Sequence, residues 1–341
     1  MTSIPGRETQ ILVQGITGRE ARMFTAESRA YGAAIVAGVT PGRGGTTVDD
    51  TPVYDTVASA CAEHRLDATL VSVPPGAAAD AALEAISARI PLVVITTERV
   101  PLRDTACVCE RANAAGVRVI GPNSLGVIVP GETRIGSAGG SASQARRWYT
   151  PGHVAVLSRS GGMMTEIAAM LTGAGIGQRV CISVGGDMLV GSSLSELYAL
   201  VAADPETHAV VVFGEPGGTQ EEDLAALLAE KPSVPVVAFI AGGFTDRLQG
   251  VRFGHAGSIV HGATGSPRVK RECLGAAGAY IATRLDELPE LVRGALAGDL
   301  PLAEASGAAG DSRPSRGLVI EARSPAATKT RGASRRTPHP D

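Results

Sequence analysis

Short aliphatic runs alternate with stretches of helical periodicity along most of the chain, a pattern that predicts βαβ units and parallel sheets. A first series predicts strands over 10–14, 33–39, 68–73, 91–96 and 117–120, with helices such as 19–31 and 77–89 between them. A second series predicts strands over 153–157, 179–184, 208–214 and 234–241, a helix over 163–172 and a last helix near 285–297. Between the two, residues 132–152 are rich in Gly, Ser and Arg without periodicity and read as a connection. Beyond about residue 301 large apolar residues thin out and Ser, Pro and Arg accumulate, so the composition predicts a disordered tail. The expected organisation is α/β: a Rossmann-like domain over 1–130, a connection over 131–152, a second doubly wound domain over 153–300 and the tail over 301–341.

A chain of 341 residues has room for two domains at roughly 150 residues each. The apolar fraction of 44%, the charged fraction of 19% and a net charge of -3 describe an ordinary globular protein, too weakly basic to favour a nucleic-acid partner. With 43 glycines and only 3% aromatics, ligands are expected to be held by main-chain amides more than by stacking. The five cysteines are scattered, odd in number and without a CxxC pair, which suits a reducing cytosol. Cys107 and Cys109 fall at i and i+2 of an expected helix and do not face each other, so no metal site is expected. No apolar run reaches about 18 residues, and Arg7 and Glu8 precede the first strand without a leader pattern. A cytoplasmic location with no membrane partner is the expectation.

Candidate chemistry clusters where strands end. Gln14-Gly15-Ile16-Thr17-Gly18-Arg19-Glu20-Ala21 follows the first strand and opens the first helix, where glycines allow a tight turn and helix amides face a phosphate. A strict GxGxxG from Gly15 is broken by Thr17 and Glu20, so a plain strand-to-helix turn is the competing explanation. Thr40-Pro41-Gly42-Arg43-Gly44-Gly45 follows the second strand and Thr96-Thr97-Glu98 the fourth. An NAD site calls for an acidic residue after the second strand; Arg43 in that region favours a phosphorylated nucleotide instead, coenzyme A (CoA) before NADP.

In the second half, Ser158-Arg159-Ser160-Gly161-Gly162 opens a helix with serine caps and free amides, an anion-binding pattern. A hydrolase elbow around Ser160 would need glycine where Ser158 stands. Glu215, in Gly214-Glu215-Pro216-Gly217-Gly218, and His255, in Gly254-His255-Ala256-Gly257, lie in glycine loops. Such a pair suits a nucleophile or general base oriented by a carboxylate, although Glu215 could equally cap the following helix.

In this order these segments, with Gly121-Pro122-Asn123 and Gly185-Gly186-Asp187, resemble the α subunit of succinyl-CoA synthetase and related nucleoside-diphosphate-forming acid-CoA ligases over roughly residues 8–297. The resemblance implies a CoA-binding Rossmann-like domain followed by a flavodoxin-like ligase domain. It also implies that His255 carries a phosphoryl group taken from ATP or GTP, that a carboxylic acid takes this group to become an acyl phosphate, and that the CoA thiol displaces phosphate. By the same resemblance Thr17, Gly18, Arg19, Glu20, Arg43, Thr96, Thr97 and Glu98 hold CoA, Ser158, Arg159, Ser160 and Gly161 hold the phosphoryl group, and Glu215 hydrogen-bonds the unphosphorylated His255. The ATP or GTP, with Mg2+, is expected on an ATP-grasp β subunit, since nothing in this chain supplies that cluster.

The chain departs from the family's pattern at three places. Arg43 replaces a lysine, Ser124 and Leu125 replace Cys-Pro after Gly-Pro-Asn, and Thr165 stands where the family has a tyrosine. Losing that ring predicts a reshaped acid pocket and a larger or substituted acid in place of succinate. A CoA-binding regulatory protein on the same scaffold is the alternative.

Overall fold

The computed structural model describes residues 4–231, 233–243 and 265–299. The aliphatic runs form two seven-stranded sheets. In the first sheet β1 (Gln10–Gln14), β2 (Ala34–Val39), β4 (Thr51–Tyr54), β5 (Ala68–Val71), β6 (Leu92–Ile95) and β7 (Arg118–Ile120) run parallel, with the short β3 (Thr47–Val48) antiparallel at one edge. Helices α1 (Arg19–Tyr31), α2 (Val57–Glu63), α3 (Pro75–Ser87) and α4 (Leu102–Ala115) connect them. The strand order β3-β4-β2-β1-β5-β6-β7 reverses direction at β1 and β5, which opens a crevice at their carboxyl ends.

Residues 132–152 are not an irregular connection. β8 (Gly126–Val129) and β9 (Thr133–Gly136) form an antiparallel hairpin on the edge of the second sheet. Helix α5 (Ala142–Trp148) follows, opened by a capping box in which Ser141 and Gln144 satisfy each other's backbone amides. β9 hid from the hydropathy pattern because it is four residues long and buries Thr133 and Arg134 together with Ile135. Arg134 is tolerated there because its Nη1 donates to the carbonyls of Ala138 (3.0 Å) and Gly140 (2.7 Å).

The parallel part of the second sheet comprises β10 (Pro151–Ser158), β11 (Gln178–Ser183), β12 (Ala209–Gly214), β13 (Val236–Ile240) and β14 (Tyr280–Ala282), with β8 paired antiparallel to β11. The helices of this half are α6 (Gly161–Gly173), α7 (Leu194–Ala202), α8 (Gln220–Glu230), α9 (Pro267–Ala276) and α10 (Leu288–Ala297). The strand order is β14-β13-β12-β10-β11-β8-β9, and its reversal at β10 puts the turn after Ser158 at the second crevice. Central strands such as β12 are buried along their whole length, because helices cover both faces; they therefore read as unbroken Ala, Val and Phe runs.

Candidate functional site

Gly15 sits at φ +81°, and a Cβ there would lie 2.4 Å from the Ser72 carbonyl oxygen, so only glycine lets β1 turn so closely past the end of β5. The turn closes with the Gly18 amide donating to the Gly15 carbonyl (2.8 Å). Gly18 then caps α1 with no side-chain acceptor, which leaves the first amides of a thirteen-residue helix for a ligand.

That helix end opens into a cleft of about 520 Å³ whose walls include Gly18, Arg19, Glu20, Thr96, Thr97 and Glu98. Six of the eight residues expected to hold CoA are thus brought together from two separate loops. The Thr96 and Thr97 hydroxyls donate to the carbonyls of Val71 (3.1 Å) and Val73 (2.7 Å), so toward a ligand they present lone pairs. Glu98 is exposed beside Arg99 (3.6 Å). Thr17 does not line the cleft; its hydroxyl bonds Thr40 (3.2 Å) and ties the first turn to the end of β2. Arg43 is exposed on the neighbouring glycine loop, where the Gly44 amide donates to Asp55 (2.9 Å).

The far wall of the cleft is Ser124, Leu125 and Ser137, which the sequence reading did not assign to CoA. Ser124 is buried, its hydroxyl donating to the Ser183 carbonyl (2.6 Å) and accepting from the Gly126 amide (2.8 Å). Two glycine-rich segments of the resemblance meet here. Asn123 Nδ2 donates to Asp187 (3.0 Å) and the Gly186 amide to the Asn123 carbonyl (3.1 Å).

The Ser158–Gly161 turn follows β10. Ser158 accepts from the Ser160 amide (3.2 Å), and Ser160 caps α6 by accepting from the Met163 amide (3.4 Å). The Gly161 and Gly162 amides in the first turn of α6 have no intrahelical acceptor. Arg159 is buried, its guanidinium reaching the carbonyls of Gly217 and Asp187 (3.5 Å each), while its Nε has no hydrogen-bond partner among the described residues. A buried guanidinium beside carbonyl dipoles, together with a helix N-terminus, favours an anion at this turn.

Thr165 lies one turn further along α6, half-buried, and its hydroxyl meets that of Tyr149 at 2.8 Å. The absence of the family's tyrosine therefore does not leave Thr165 facing empty space on that side. Tyr149 is itself buried, and desolvation drives its phenol far above the usual tyrosine range. Glu215 is half-buried just past β12, its amide donating to Glu221 (3.2 Å). His255 and its loop lie outside the described residues. Among the described residues no group of three or more His, Cys, Asp or Glu is arranged to hold a metal, and no helix is long and apolar enough to cross a membrane.

Comparisons with known proteins agree with this layout. A family model described as a CoA-binding domain matches residues 6–99 and one described as CoA-ligase matches residues 157–279. The chain is 40% identical over 292 residues to the succinate–CoA ligase [ADP-forming] subunit alpha 2 of Archaeoglobus fulgidus, covering 86% of this chain and 99% of that protein. It is 39% identical over 287 residues to an ADP-forming sulfoacetate-CoA ligase subunit of an Acholeplasma species, covering 84% and 95%. Among solved structures, Methanosaeta concilii ATP citrate lyase in complex with (3S)-citryl-CoA superposes with a TM-score of 0.79 at 26% identity; the match covers 86% of this chain and 50% of the lyase chain. With the CoA-binding half, the ligase half and these relatives in agreement, the chain belongs to the succinate–CoA ligase α-subunit family of ADP-forming acid–thiol ligases.

Proposed function

We propose that this chain is the α subunit of an ADP-forming ligase that joins a carboxylic acid other than succinate to CoA, working with an ATP-grasp β subunit. The observation that carries the reading is continuity: the cleft that begins at the α1 N-terminus ends on Leu125, whose side chain packs against Gly161 of the anion-binding turn. The N-terminal ends of α1 and α6, the second suited to a phosphoryl group, thus lie on either side of one side chain, Leu125.

In this reading Arg19 and the α1 amides hold the diphosphate of CoA, Arg43 holds its 3′-phosphate, and Thr96 to Glu98 accept hydrogen bonds from its polar groups. Bound CoA supplies the thiol nucleophile. His255 takes the γ-phosphoryl group on a ring nitrogen as ADP leaves, and passes it to the acid's carboxylate oxygen with the imidazole as leaving group. Ser158 to Gly161 lower the cost of that anion, with Arg159 adding charge behind the turn, and Glu215 orients the neutral imidazole. A sulfonated acid such as the relative's sulfoacetate fits the chemistry of an additional anionic group near this positive turn.

The test is incubation with the candidate β subunit and γ-labelled ATP. Acid-labile, base-stable label that disappears in His255→Asn supports the reading; label that survives that substitution refutes it.

A further inference from the structure

Behind the Glu215 turn lies a fully buried ion pair for which the reaction as described gives no role. Lys270 of α9 and Glu221 of α8 are both 0% exposed and pair directly through Nζ and Oε2, with Glu222 Oε2 3.6 Å from the same ammonium. A buried pair of this kind is weak support for stability, because desolvating both charges offsets most of their attraction. Its other bonds show where it acts. Lys270 Nζ donates to the Gly217 carbonyl (2.8 Å), and Glu221 Oε1 accepts from the Glu215 amide (3.2 Å). The two charged groups therefore grip the Gly214–Gly218 turn from inside, one at the residue that carries the carboxylate and one two residues later.

The surrounding glycines are shaped for this grip. A Cβ on Gly214 would lie 2.7 Å from Glu221 Oε1, so glycine there makes room for the carboxylate. The same assembly extends to Gly265, which leads into α9. The Gly217 amide donates to the Gly265 carbonyl (2.8 Å), the Gly265 amide donates to Glu222 Oε1 (3.3 Å), and a Cβ on Gly265 would lie 2.9 Å from Gly217 Cα. The Glu215 turn and Gly265 are thus fixed to one another through Glu221, Glu222 and Lys270.

We propose that the buried Lys270–Glu221 pair is a positioning device for phosphoryl transfer, holding the backbone of the turn that carries Glu215 in one register. The inference rests on the reading above that Glu215 orients His255. Neither Lys270 nor Glu221 touches substrate; both act through the turn they hold.

Two variants of the full chain, assayed with the β subunit, test it. Glu221→Gln keeps the size and an acceptor for the Glu215 amide but removes the charge that anchors it. The double variant K270M/E221L replaces the pair by apolar groups of similar volume, a change that buried pairs commonly tolerate. CoA affinity, measured by calorimetry, reports folding independently of the Glu215 turn. The expected result is near wild-type CoA affinity and KM for CoA in both variants, with kcat and the rate of histidine labelling lowered about 100-fold, the usual effect of displacing a catalytic group by about 1 Å. The pH profile of labelling should also shift, because in the reading above Glu215 orients the imidazole. Wild-type kcat and pH profile in either CoA-binding variant overturns the proposal, and so does loss of CoA binding in both, which would make the pair structural. If the wild-type chain itself takes no label, the Glu215–His255 reading falls and the inference with it; if the wild type labels and the variants label equally, the inference alone falls.

Discussion

Leu125 occupies the space that a side chain on Gly161 would need: a Cβ there would lie 2.2 Å from Leu125 Cγ and 2.9 Å from its Cβ. The residue that ends the proposed CoA cleft thus sets how closely α6 approaches it. Gly161→Ala is expected to push the helix end off its position and lower kcat about 100-fold with little change in CoA affinity. Adding Leu125→Ala should restore most of the rate, since it removes the overlapping atoms. Steady-state kinetics of the two single variants and the double variant check this; additive losses would contradict it.

Gly15 and Gly42 both have positive φ, +81° and +75°, but differ in surroundings. A Cβ on Gly15 meets the Ser72 carbonyl and Val73, whereas nothing lies within 4 Å of one on Gly42. Gly42→Ala should cost only the left-handed penalty of about 1–2 kcal/mol. Gly15→Ala should cost more and raise the CoA Kd at least about 10-fold, because the turn that opens α1 has to move. Thermal melts with and without CoA separate the two effects.

For Arg43 the expectation is selective. Arg43→Ala should weaken CoA about 10-fold, the scale of a hydrogen bond to a charged group, and should leave dephospho-CoA unaffected. Equal losses for the two ligands in calorimetric titrations would remove Arg43 from the 3′-phosphate.

Tyr149 and Thr165 share a hydroxyl pair beside the expected acid pocket. Tyr149→Phe leaves Thr165 without that partner and is expected to cost about 1 kcal/mol, while the double variant Y149F/T165V, which removes both hydroxyls, should be nearly neutral in stability. Rates of thioester formation across a panel of acids give the functional side. Succinate as the clear best substrate of the wild-type enzyme would defeat the proposed acid class.

Buried acids predict alkaline sensitivity. Desolvation raises the Cys181 thiol above its ordinary value of 9.0 and the Tyr149 phenol above 10.0. Below pH 9 both groups are protonated in the folded and unfolded chain, and their stabilising contribution is fully present. Above it the unfolded chain releases protons that the folded chain retains, so stability falls as pH rises, by up to about 1.4 kcal/mol per pH unit for each group. Urea denaturation between pH 7 and 10.5 should show the decline beginning near 9, with Cys181→Ala removing its first part.

The sequence made most strands of the two sheets legible because central parallel strands are buried on both faces and stand out as aliphatic runs. It also made the turns at the ends of those strands legible, since Gly15, Gly18, Ser158 and Ser160 mark turns whatever the tertiary context. It did not reveal that Ser124, Leu125 and Ser137 form the far wall of the proposed CoA cleft, for they come from a strand entry and a hairpin exit whose meeting no local pattern encodes. The Lys270–Glu221 pair was equally silent: 49 residues separate the two, and a lysine or glutamate near the start of a helix looks like a solvated charge. Gln144 stands three residues after Ser141, a capping-box spacing that could have marked α5 inside the stretch read as a connection.

The β8–β9 hairpin has a mechanical consequence. Helix α1 packs on β9 and α5, with Ser28 donating to the Gly136 carbonyl (3.2 Å) and Glu27 accepting from the Ala142 amide (2.6 Å). The helix whose tip would grip the CoA diphosphate is therefore stitched along its flank to the other sheet. Any rotation of one sheet against the other must tear this seam, so the span from the proposed CoA cleft to the Ser158–Gly161 turn is set when the chain folds, not when substrate arrives.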